Sequence, residues 1–102
     1  MLTTSQCTHT KVMSFFNDYS EENKRRLYNV LTEEIDMLLT QAMALDSTQR
    51  DEVAALQHKF KGICRYLNIE SDMIKLAKET KSELVANTLT LQQLLNDIES
   101  EI

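Results

Sequence analysis

His58 stands in a basic run, Gln57-His58-Lys59-Phe60-Lys61-Gly62-Ile63-Cys64-Arg65-Tyr66, with Lys61 three residues on, Gly62 four and Arg65 seven. An imidazole changes its charge near neutral pH, and its unprotonated nitrogen is a nucleophile. Cations at these spacings lie beside the ring on a helix. Like-charge repulsion favours the neutral, nucleophilic ring, and the same cations would stabilise an anionic group once it is attached. Lys59 adds to the field from the flank, so residues 57–66 carry three positive charges and no negative one in a chain of net charge −5. Gly62 is the only glycine, and inside a helix it costs about 1 kcal/mol relative to alanine. Ala54 and Ala55 one turn before the histidine, and Gly62 one turn after it, leave the ring without bulky neighbours.

The element that must carry these residues is a helix predicted over 48–67. At about 100° per residue, Val53, Leu56, Phe60, Ile63, Cys64 and Leu67 fall within an arc of roughly 100°, and Ala54, His58, Lys61, Gly62 and Arg65 centre roughly 170° away. His58 therefore faces solvent and is not a core histidine. Cys64 is on the opposite side of the helix, which excludes a thiol–imidazole pair, and no Ser-His-Asp arrangement is visible. A flat, small-residue surface with a protruding imidazole suits a partner's pocket better than catalysis in a cleft. Ala54, Ala55, Gln57, Lys59 and Arg65 are the candidate docking residues around it. The bland alternative is an ordinary surface histidine; the basic field and the lone glycine weigh against it.

Composition sets the frame for this helix. With 102 residues, no proline, one glycine and 42% hydrophobic residues, the chain is expected to form one all-α domain, since a sheet would need turn chemistry that is missing. The acidic balance argues against nucleic acid as a main partner. No apolar run approaches the roughly 18 to 20 residues of a membrane span, and the polar start has no signal-peptide core. Cys7 and Cys64 suggest reduced thiols of a cytoplasmic protein. Cys7 and His9 fall short of the four ligands of a structural zinc site, so no metal is expected.

Taken in order, residues 1–10 are expected to be a flexible N-terminal arm and 11–102 the folded domain. A short helix is predicted over 11–17, its Phe15 and Phe16 covering the end of a bundle. Ser20 is the predicted N-cap of a long helix whose apolar face is Leu27, Val30, Leu31, Ile35, Leu38, Ala42 and Leu45, with Lys24 and Arg25 on the solvated side. Asp46-Ser47-Thr48 supplies the break and the next N-cap. A third bundle helix starts at Glu70 or Ser71 with Ile69, Met73, Ile74, Leu76 and Ala77 inside and Lys75, Lys78, Glu79 and Lys81 outside. Asn87-Thr88 is the expected break before a last helix, with Thr90 and Gln93 as its capping box.

The string His58-x-x-Lys61-Gly62, followed by Leu67 and a turn residue, resembles the motif of the histidine-containing phosphotransfer (HPt) domains of multistep two-component phosphorelays. The resemblance extends over roughly 15–98. It implies an antiparallel four-helix bundle with a short extra N-terminal helix, His58 as phosphoacceptor, Lys61 as the cation near the phosphoryl group, and Gly62 as clearance for a receiver domain. The family usually has glycine where this chain has Asn68, a small residue at Ile63 and often alanine at Gln57. An asparagine suits a left-handed helix-ending conformation.

The function expected on this resemblance is that of a monomeric, cytoplasmic phosphorelay carrier, with response-regulator receiver domains and a hybrid sensor kinase as partners. It would need no cofactor of its own, since the magnesium ion belongs to the receiver. The alternatives are a non-catalytic helical adaptor, in which His58 is incidental, and a coiled-coil or secretion-chaperone-like dimer that buries the His58 face.

Overall fold

The computed structural model of the chain describes residues 4–46, 48–73 and 80–102, with side chains from residue 8 onward except at 71 and 72. Helices follow one another as α1 (Thr4–Asn17), α2 (Glu21–Ala44), α3 (Arg50–Tyr66), the single turn α4 (Glu70–Met73) and α5 (Lys81–Ile98), with a 3-10 turn at Glu99–Glu101. The fold is all-α, as the composition predicts, with no strand among the described residues. No helix among them is long and apolar enough to cross a membrane.

Hydrogen bonds fix how the long helices run. Tyr28, near the start of α2, donates its hydroxyl to the carbonyl of Leu95 near the end of α5, at 2.7 Å. Lys81, the first residue of α5, donates to the carbonyls of Met43 and Leu45 at the end of α2. The two helices are therefore antiparallel. The short connection after α2 folds α3 back along it, where Lys59 meets Glu34 at 3.3 Å. The helix α3 packs on both α2 and α5, and α1 lies against the same two helices.

Most of the core is built from three seams: Lys24, Tyr28, Leu31, Ile35, Leu38 and Ala42 on α2; Val53, Gln57, Phe60, Cys64 and Leu67 along α3 and its end; and Leu84, Thr88, Leu91, Leu95 and Ile98 on α5, with Val12 and Phe16 of α1 buried against them. Each steps alternately by four and three residues, the spacing that lets helices pack at a shallow angle with knobs in holes. This seam is narrower than the face expected from sequence and rotated from it. Val30 falls outside and is 49% exposed, whereas Lys24, expected in solvent, is buried. Lys24 keeps its charge satisfied at the helix start by donating to Asn17 Oδ1 at 3.3 Å and Glu21 Oε1 at 3.2 Å.

The helix ends explain most other differences from expectation. Ser20 is the N-cap of α2, its Oγ accepting from the Asn23 amide. The N-cap of α3 is Gln49 and not a residue of 46–48; its side chain instead accepts from the Asp46 amide at 2.7 Å while Asp46 Oδ1 accepts from Thr48, so the two side chains brace the turn. The expected break at Asn87-Thr88 does not occur. The helix α5 is continuous from its N-cap Thr80, whose Oγ1 accepts from the Glu83 amide at 3.2 Å. Thr88 stays helical by donating its hydroxyl to the Leu84 carbonyl, and Thr90 does the same to Ala86, so neither caps anything. Lys81 is not outside but bonded to the end of α2.

The expected arm over 1–10 is helical from Thr4 onward: Thr8 is buried, and His9 Nε2 lies 3.0 Å from Glu101 Oε2. The aromatics of α1 sit as expected at one end of the bundle, with Phe15 edge-on to Phe16, Tyr19 and Tyr66 at centroid distances of 5.3, 5.5 and 5.1 Å. Met73 packs against the core, and the expectations for 74–79 lie outside the described residues.

Candidate functional site

The site is the solvent side of α3, and its geometry follows from how that helix is seated and stopped. Val53, Phe60, Cys64 and Leu67 hold one side in the core, leaving His58, Gly62 and Ala55 exposed, with Ala54 and Lys61 half-buried. The helix then ends in a Schellman turn. The Ile69 amide donates to the Cys64 carbonyl at 2.9 Å and the Asn68 amide to the Arg65 carbonyl at 3.0 Å, with Asn68 at φ 62°. Asparagine tolerates this left-handed conformation far better than most residues. Ile69 is carried into the core beside Cys64, which fixes the turn, and the chain is swung so that Glu70 returns to Arg65.

Gln57 was expected on the docking surface and is instead fully buried, with both atoms of its amide lacking a hydrogen-bond partner. The reason is the seam 53-57-60-64-67: its four-and-three alternation turns residue 57 inward, and an apolar stripe drawn through Leu56 and Ile63 places it too far round. Leu56 and Ile63 are half-buried on the flank of the seam. An unsatisfied buried amide costs about 1–3 kcal/mol. The alternation itself is the signal in the sequence that could have located Gln57.

The basic field around His58 is partly neutralised by partners that the sequence did not reveal. Lys59 pairs with Glu34 across α2. Arg65 donates to Glu70 through Nε at 2.9 Å and Nη2 at 3.3 Å. Those hydrogen bonds, with the arginine's charge, hold the Glu70 carboxyl below the usual carboxylate range, and Lys61 adds a smaller pull. Lys61 forms no ion pair among the described residues. It is the cation at i+3 left available to an incoming anion.

Cys64 is fully buried and free, and burial pushes its thiol up to about 12, with Glu70 adding to the effect. It takes no part in the exposed site. Gly62 is open: a Cβ built there would meet nothing within 4 Å, and its backbone is not left-handed. Among the described residues, neither internal packing nor a turn requires a glycine at this position. Beyond it, one turn on, Tyr66 is 53% exposed and continues the same side of the helix toward Phe15 and Tyr19. The Tyr19 hydroxyl is raised by its hydrogen bond with Tyr66.

The arrangement places an accessible imidazole three residues before a cation that forms no ion pair among the described residues, and four before an unobstructed backbone. No hydrogen bond to the His58 ring forms among the described residues, so the imidazole is open to an approaching group. His9 at the other end of the chain is engaged with Glu101, and the side chain of Cys7 lies outside the described residues. Scans against protein-family models, curated proteins and solved structures each return no match for this chain.

Proposed function

We propose that this chain is a histidine phosphotransfer domain, a carrier that accepts a phosphoryl group on His58 from the aspartate of one receiver domain and yields it to another. The observation that carries the proposal is Gly62. A glycine inside a helix costs about 1 kcal/mol, and here no packing contact among the described residues and no backbone conformation calls for it. Its use is clearance for a body that approaches from outside, one turn from an exposed imidazole.

In the proposed step, the unprotonated ring nitrogen of His58 attacks the phosphorus of an aspartyl phosphate. An N–P bond forms and the acyl P–O bond breaks, its electron pair remaining on the aspartate as carboxylate. The other ring nitrogen gives up its proton to solvent. Lys61 offsets charge as the phosphoryl group passes, as positioned cations do in phosphoryl transfer generally. The magnesium ion and the acidic cluster belong to the receiver, and this chain supplies the nucleophile and the platform. Ala54, Ala55, Lys59 and Arg65 form the rim on which the receiver rests, and the domain acts as a cytoplasmic monomer between a hybrid kinase and its response regulators.

The test is transfer from a panel of phosphorylated receiver domains in the presence of magnesium. Acid-labile, alkali-stable label on the wild type and none on His58→Gln is the expected result. A wild type that takes no label, or label persisting in His58→Gln, overturns the proposal and leaves a helical adaptor.

A further inference from the structure

Side chains on an α-helix lean toward its N-terminus, a direction that would carry Arg65 toward His58, two turns or about 10.5 Å earlier along the axis. Arg65 is held the other way. Its guanidinium makes two hydrogen bonds to Glu70, which lies beyond the C-terminal end of α3 and is returned to the helix by the Asn68 turn. We infer that Glu70 is a resident competitor for the phosphoryl group: its carboxylate occupies Arg65 while His58 is unmodified, and the guanidinium exchanges it for phosphoryl oxygens when His58 is loaded. This inference rests on the phosphotransfer reading of His58 and names a regulatory residue that the motif does not contain.

Two features support the exchange. The guanidinium presents the same donor fork to a carboxylate and to a phosphoryl group, so either anion satisfies it. The Arg65 side chain is 70% exposed and that of Glu70 40%; such a surface pair is weakly held, so a dianion can displace the carboxylate. Glu70 hydrogen-bonds to Arg65 and forms no ion pair with Lys61 among the described residues, so the competition is confined to Arg65. Lys59, already engaged with Glu34 on the far flank, is not part of the competition. No covalent bond changes in the exchange. Glu70 is a positioning residue whose effect is to weaken the carrier's hold on its cargo and so favour passing the group on.

The test uses the full chain loaded with potassium phosphoramidate, which transfers its phosphoryl group to an imidazole nitrogen and releases ammonia, followed by phosphorus NMR across pH. In Glu70→Gln the loaded phosphoryl group should lose its last proton at lower pH than in the wild type, by about 0.3 to 0.8 unit, a full charge partner's effect reduced by solvent exposure. The Arg65→Gln/Glu70→Gln double variant should titrate like Arg65→Gln alone. In the wild type, nitrogen-15 spectra should show the Arg65 Nε–H resonance moving on loading. A Glu70→Gln protein that titrates with the wild type, the same shift arising in the Arg65→Gln background, or an unmoved Arg65 resonance overturns the exchange while leaving the phosphotransfer reading intact. A wild type that does not load, with His58 remaining unmodified, overturns both.

Discussion

Lys81 Nζ lies 2.5 Å from the carbonyl oxygen of Leu45 and 3.2 Å from that of Met43, so the first residue of one helix closes the last turn of another. The last turn of α2 contains no basic residue of its own, and its terminal carbonyls have no partner within the helix. A cation brought from α5 satisfies them and suits the negative end of the helix dipole. Replacing Lys81 with methionine keeps the stem and removes the donor. Urea denaturation should show a loss of about 1–2 kcal/mol, the range for charged hydrogen bonds at a partly exposed site.

Gly62→Ala separates stability from function. Because the added methyl group enters open space, the variant should be more stable than the wild type by up to about 1 kcal/mol. Its phosphoryl uptake from receivers should fall about tenfold or more, the equivalent of about 1.4 kcal/mol in the transition state. Paired denaturation and transfer-rate measurements on the same preparation check both signs. A variant that is stabilised and transfers at the wild-type rate would remove the clearance argument.

Gln57→Leu should stabilise the bundle. The substitution exchanges an unpartnered amide for a hydrocarbon of similar length in the α3 seam, recovering about 1–3 kcal/mol of desolvation cost. Thermal and urea unfolding measure it. Since the side chain is buried, the rate of loading of His58 by phosphoramidate should stay unchanged, unlike that of a substitution on the rim.

How much of this could be foreseen depends on whether local chemistry or packing decides the feature. Ser20 capping α2, the left-handed Asn68, the buried Cys64 and the exposed His58 all follow from side-chain chemistry or from one helix's own pattern. Gln57, Lys24 and Thr88 were misplaced because each is a polar residue in a seam that only three helices together define. Thr88 in particular looks like a break until its hydroxyl is allowed to bond back to Leu84 inside the helix. The pairs Lys59–Glu34, Lys81–Leu45 and His9–Glu101 join distant parts of the chain, and no local period announces them. Glu70 reads from sequence as the start of a helix, and although Asn68 suits a left-handed turn, nothing local shows that this turn returns Glu70 to Arg65.

Alkaline pH should expose the buried thiol. The Cys64 thiol moves from an ordinary 9.0 to about 12 on folding, so the folded state keeps a proton that the unfolded state releases. The contribution is fully present below pH 9 and is lost as pH rises from 9 to about 12, with a slope of at most about 1.4 kcal/mol per pH unit. The stability gap between wild type and Cys64→Ala, measured by urea titration, should shrink across that window. At pH 8 a thiol reagent should modify Cys64 only at the rate of global opening.

The ties at the two ends of the α2–α5 pair also bear on the order of assembly. They join residues 67 apart at one end of the pair and 36 apart at the other, whereas α2 and α3 are neighbours across a short turn. Closing so long a stretch of chain is entropically costly and slow relative to forming a local hairpin. Folding is therefore expected to begin with α2 and α3 and to be completed when α5 docks across both, the step at which the helix bearing His58 acquires its final rotation. A ribosome-bound chain that has not yet emitted α5 would carry the histidine before it carries the site.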